Sequence, residues 1–195
     1  MAVQTVAKSA ALNERDQRRM RIANREIRTM ERMLSLLSEY GRDLPPVLEP
    51  MALRSIVAEA AALVELELGE REIKVEVAEH PEGLRARVDM ARLRPVLAQL
   101  LMNAASGLAP GTPLQIVATQ SSDAVPVPML CVPDNTAAVP PEERATLFEP
   151  FGSRLARGAG LSLAALSRTM VQLGGRASVE ERSGGGVEFR LLFPT

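Results

Sequence analysis

The chain has 195 residues, 46% of them apolar but only 3% aromatic, so its core must be built from Leu, Val, Ala, Ile and Met. A formal net charge of −1 excludes a global electrostatic pull towards nucleic acid or an anionic membrane. The one cysteine, Cys131, excludes an intramolecular disulfide, no apolar run reaches transmembrane length, and the start lacks a signal-peptide pattern, so a cytoplasmic protein of one domain plus an appendage, or of two small domains, is expected.

Residues 8–42 contain no Gly or Pro before Gly41 and predict one long helix. Met20, Ala23, Ile27, Met30, Leu34 and Leu37 recur at spacings 3-4-3-4-3, an a/d seam sustained for under three heptads. The seam needs a partner helix, and the chain offers no second long helix before Pro45. A second copy of the chain is the expected partner; packing on the chain's own C-terminal part is the alternative. Residues 13–32 carry seven arginines against four acids, with no interleaved aromatics, which predicts a solvated flank rather than a nucleic-acid surface.

Residues 41–50 (GRDLPPVLEP) break the helix and read as a linker. A second helix is predicted over 51–68, then a strand at 73–77 with a hairpin partner at 84–88, His80 lying in the turn between them. Asp89 is a candidate N-cap for a helix reaching about Gly107, with Leu93, Val96, Leu97, Leu100, Leu101 and Ala104 on one face. Gln99 and Asn103 sit one turn apart off that stripe, facing a cleft. Strands are expected at 114–119 and 127–132, a helix at 161–173, and strands at 177–180 and 187–193. This mixture predicts an α+β sandwich with helices on one face of a mixed sheet.

The most informative segment is 147–163, LFEPFGSRLARGAGLSL. A Phe-Glu-Pro-Phe turn leads through a short basic loop to Gly158 and Gly160, which open an apolar helix. Such glycines let backbone approach a phosphate, and a helix N-terminus favours the anion. The segment resembles the F and G2 boxes of the histidine-kinase ATPase domain, the fold shared with gyrase, Hsp90 and MutL. Gly158-Ala159-Gly160-Leu161-Ser162-Leu163 differs from the family's Gly-x-Gly-Leu-Gly-Leu by Ser162. The resemblance extends through Gly174-Gly175-Arg176, Gly184-Gly185-Gly186 and Val187 to Leu191. Upstream, residues 93–104 resemble the N box and 131–143 the G1 box, so the likeness covers about residues 50–195. It implies a dimerisation-type helix at 1–44, a linker at 45–50, and a two-layer ATPase domain of the Bergerat type at 51–195.

The same resemblance implies site residues. Asn103 stands where the family holds magnesium and phosphates. Gln99 stands where relatives have Glu, His or Asn, and its amide cannot act as a general base. Asp134 stands where an aspartate accepts from the adenine amino group, but Thr136 and Ala138 replace both G1 glycines. The lid has six residues, 152–157, in which Leu155 takes a lysine's place and Arg154 or Arg157 could reach a phosphate. The implied nucleotide set is Gln99, Asn103, Asp134, Arg154, Arg157, Gly158, Gly160 and Leu161, with Asn103 at the metal; no catalytic residue is identified. The family's His-Glu-x-Arg-Thr-Pro acceptor is matched only by Arg25-Glu26-Ile27-Arg28-Thr29-Met30, and the chain's single histidine is His80. The expectation is a degenerate, bacterial-type two-component signalling protein, a pseudokinase without a resident cofactor. It dimerises and docks a response regulator or sensor kinase through Met20, Ala23, Ile27, Met30, Leu34 and Leu37. Two alternatives remain open: a MgATP-dependent kinase or ATPase acting on a separate protein, and a phosphotransfer relay that would need His80.

Overall fold

A computed structural model describes residues 15–20, 22–24, 27, 30–31, 34, 44–135, 139–144, 146–150, 161–183 and 185–194. Strand β1 (Glu49–Ala52) leads directly into α1 (Leu53–Ala62) and a short α2 (Glu65–Gly69). Leu53, Ile56, Val57 and Ala60 form the buried stripe of α1, at helical spacing. The helix expected over 51–68 is therefore divided. Met51 and Ala52 are extended because they pair antiparallel with β3 (Arg85–Val88), and the chain leaves α1 at Leu63 so that Val64 can turn into the core.

The pairing of β3 with β1 also replaces the expected hairpin. Strand β2 (Val75–His80) instead runs parallel to β4 (Leu114–Gln120), with Val75 opposite Leu114 and His80 opposite Thr119. His80 is thus the last residue of a strand rather than part of a turn. A parallel neighbour requires a crossover, and α3 (Met90–Ser106) supplies it. Asp89 caps α3 by accepting from the Arg92 amide, and Leu93, Val96, Leu97, Leu100, Leu101 and Ala104 are all 1% exposed or less. The polar and apolar faces of this helix lie where the sequence spacing places them.

Strand β5 (Pro128–Asp134) pairs antiparallel with β4 on one side and with β7 (Val187–Leu192) on the other, and β6 (Arg176–Glu181) closes the sheet. The order is β2-β4-β5-β7-β6. Between β5 and β6 come the short α4 (Pro141–Arg144) and α5 (Ser162–Gln172). Helix α4 begins at a proline, which suits a first helical position, and has Glu142 and Glu143 in its first turn. Helices α1, α3 and α5 pack side by side, burying Leu166 and Met170 of α5 with the α3 stripe against Ile116, Leu130, Val132, Phe189 and Leu191 of the sheet. The result is a two-layer mixed α/β sandwich. Alternation along β5 and β7 sends Met129, Cys131 and Leu192 to the other sheet face, where they form a small separate cluster with Val127.

Residues 15–20 and 22–24 are helical, as are 27, 30, 31 and 34. Of the expected seam, Met20 is half-buried while Ala23, Ile27, Met30 and Leu34 are exposed; Leu37 and most of the predicted 8–42 helix lie outside the described residues. Among the described residues no helix is long and apolar enough to cross a membrane.

Candidate functional site

The implied site residues that are described lie at the C-terminal end of α3, the start of α5 and the end of β5. Gln99 and Asn103 are four residues apart on α3, and the Gln99 Nε2 donates to Asn103 Oδ1 at 3.0 Å. Asn103 Nδ2 in turn donates to Ser162 Oγ at 3.5 Å. Ser162 is the first residue of α5, immediately after Leu161, whose carbonyl accepts from the Ala165 amide. The residue that stands in place of the third G2 glycine is thus a polar partner of the residue implied at the metal. Its role was not visible in the sequence, because the two positions are separated by 59 residues.

Asp134 ends β5, against which α3 packs, and is 8% exposed. Gly186, at φ +74°, packs closely against it: a Cβ there would run into the Asp134 carbonyl oxygen. Only a glycine meets both the torsion and the close approach. Asn135 accepts from Arg182 Nη1 at 2.7 Å, tying the strand end to the β6–β7 turn. Below it, Leu147 is buried and the Phe148 ring meets Phe189 edge-on, with centroids 6.4 Å apart. This contact anchors the turn at 146–150 on β7. The structure therefore brings Gln99, Asn103 and Ser162 into contact and places Asp134 on the strand beneath α3. Thr136, Ala138, Arg154, Arg157, Gly158 and Gly160 lie outside the described residues.

A divalent cation needs several oxygen ligands, and magnesium is usually held by one or two carboxylates together with substrate phosphates. Asn103 offers a single neutral oxygen that already accepts from Gln99, and the described residues contain no group of three or more His, Cys, Asp or Glu able to hold a metal. A magnesium ion would need most of its ligands from elsewhere, such as a nucleotide's phosphates, since Asn103 would offer it at most one. Other reactive side chains are remote or quiescent. His80 is exposed at the end of edge strand β2. Burial, reinforced by the neighbouring Glu188 carboxylate, pushes the Cys131 thiol up to about 12, so it stays protonated at neutral pH.

Three comparisons bear on identity. Residues 88–195 match the family model described as histidine kinase-, DNA gyrase B-, and HSP90-like ATPase. The sensor histidine kinase ZraS of Salmonella typhimurium (strain LT2) is 26% identical over 171 residues, covering 87% of this chain but 36% of that protein. The chain thus spans about a third of that relative's length. Two solved structures share the fold. Full-length ShkA in complex with AMPPNP aligns with a TM-score of 0.71 at 23% identity, covering 99% of this chain and 41% of that one. The histidine kinase ThkA in complex with the response regulator TrrA aligns with a TM-score of 0.69 at 21% identity, covering 98% and 55%. The order of the motifs, the mixed sheet under α3 and α5, and a family match over more than half the residues lead to one conclusion: the chain belongs to the histidine kinase-, DNA gyrase B- and HSP90-like ATPases, as a histidine-kinase-like ATPase domain of the two-component sensor type.

Proposed function

We propose that this chain is a degenerate histidine-kinase-like signalling module that works by dimerising and docking a partner rather than by phosphorylating itself. The observation that carries this reading is the position of the single histidine. His80 ends an edge strand of the ATPase sheet, whereas the N-terminal segment 1–44 contains no histidine at all. Arginine, which occupies the matching position at Arg25, keeps its proton at working pH and cannot serve as an acceptor. The loss of both G1 glycines to Thr136 and Ala138, and a Gln99 that cannot act as a base, point the same way. The N-terminal segment, residues 1–44, is the dimerisation and docking element in this reading. The expected linker, 45–50, gives its last two residues to β1, so the ATPase-like domain expected over 51–195 begins at Glu49 in this reading, and the protein is cytoplasmic. A response regulator or sensor kinase is the partner class; the ThkA complex is one in which a related fold holds a response regulator.

One observation favours a second reading, a working nucleotide cleft that serves a separate protein substrate. Asp134 is buried at the strand end with Gly186 packed closely against it, and Asn103 sits in contact with the first residue of α5. In that case Asp134 accepts from the adenine, Asn103 orients the phosphates with their magnesium, and Gly158, Gly160, Leu161 and Arg154 or Arg157 are the further nucleotide-binding residues.

Isothermal titration with ATP, with and without magnesium, separates the two. The docking module gives no heat at millimolar ATP. Saturable binding that vanishes in Asp134→Ala overturns the degenerate reading and establishes the second.

A further inference from the structure

Arg92 is an arginine only 3% exposed, in the first turn of α3, far along that helix from Asn103. A buried charge is costly unless it is paired and hydrogen-bonded, and this one reaches three separate parts of the chain. Nη2 donates to the Leu44 carbonyl and Nη1 donates to Gln172 Oε1 of α5 at 3.1 Å, while Nε makes no hydrogen bond but lies 3.3 Å from Asp89 Oδ2 as an ion pair. The same Asp89 oxygen accepts the Val47 amide at 3.1 Å. Between these two pins lie Pro45 and Pro46, whose rings fix φ and leave a stiff extended spacer. The carbonyls that follow are gripped in the same way: Leu48 accepts from Arg87 Nη2 at 3.5 Å and Pro50 from Arg85 Nη2 at 3.0 Å. The linker is held along its length by guanidinium groups.

The other end of α5 is Ser162, bonded to Asn103. Helices α3 and α5 are therefore cross-tied at both ends, Asn103 to Ser162 and Arg92 to Gln172. Asn103 lies eleven positions after Arg92, so the ties stand about 16 Å apart along α3. The contacts thus run from Asn103 through Ser162 along α5 to Gln172, and from there through Arg92 to the Leu44 carbonyl.

We propose that Arg92 is a positioning residue that fixes the direction in which the N-terminal segment leaves the ATPase domain and couples that exit to α5. The proposal holds whether or not the cleft takes nucleotide, since it concerns how the two halves of the chain are joined.

The Val47 amide is the direct reporter. Its hydrogen exchange is followed by NMR in the full chain, with the Val132 and Leu191 amides of the central strands as internal references. Arg92→Met is expected to speed Val47 exchange roughly fivefold or more without changing the references. Arg92→Lys, which keeps the charge but loses the fork, falls between the two. The decisive variant is Gln172→Leu, which touches neither Val47 nor Leu44 and still accelerates Val47 exchange if the coupling exists. Unchanged Val47 exchange in Gln172→Leu overturns the coupling. Equal acceleration of Val47, Val132 and Leu191 in Arg92→Met reduces Arg92 to a general stabiliser and overturns the positioning role. If Arg92→Met does not fold, Gln172→Leu decides alone, because Gln172 is half-buried on a helix surface.

Discussion

Cys131 shows how one side chain records the environment of a whole sheet face. It sits on β5 between Met129 and the Glu188–Arg190 pair of β7, 6% exposed. Its ordinary value of 9.0 is raised to about 12, first by desolvation and then by Glu188. The thiol therefore ionises more readily in the unfolded chain than in the folded one. Its contribution to stability is complete below pH 9 and is lost progressively as the pH rises towards 12. Urea unfolding of the wild type and Cys131→Ala checks this. The stability difference between them should shift against the wild type by roughly 1 kcal/mol between neutral pH and pH 10, whereas parallel pH profiles would refute it. At the same scale, Asn103 and Gln99 were legible as neighbours because four residues is one helical turn. Ser162 and Gly186 were not. Their importance lies in what they touch across the fold, Asn103 and the Asp134 carbonyl, and a linear pattern holds no record of such contacts.

Among elements, α3 was the most legible because its apolar stripe, its Asp89 cap and its terminal Gly107 agree with one another. Strand pairing was the least legible. Residues 73–77 and 84–88 look like a hairpin because they are close in sequence, but each finds its partner elsewhere, β2 in β4 and β3 in β1. The choice is made by tertiary packing. Helix α1 must lie beside α3 to bury Leu53, Ile56 and Val57, and that places β1 next to β3. The interface of α3 with α5 carries the Asn103–Ser162 contact, so its packing bears directly on the candidate site. Leu166 on α5 is fully buried in it. Leu166→Ala should lower stability by about 2–5 kcal/mol through lost transfer energy and the cavity left behind. A urea midpoint moved down at unchanged slope is the expected result, and a midpoint within error of wild type would show that the helix pair repacks freely.

At the scale of the molecule, the apolar residues of the N-terminal helix remain unaccounted for by the ATPase fold. Ile27, Met30 and Leu34 are 40%, 62% and 67% exposed. A dimer would cover them. Sedimentation equilibrium should find a dimer at micromolar concentration, and the double variant Ile27→Glu, Leu34→Glu should be a monomer with an unchanged ATPase-domain fold. A wild-type chain that stays monomeric across that range sends the seam back to an intramolecular role. The family match covers 88–195, yet the folded unit reaches back at least to β1. The sheet order has a further consequence, for solubility. Its border strands, β2 and β6, present Glu76 and His80 on one side and Arg176, Glu180 and Glu181 on the other. Charged borders discourage edge-to-edge association. Cutting the protein back to the span that matches the family would discard β2 and turn β4 into a border carrying Leu114, Ile116 and Val117, an open apolar template for aggregation.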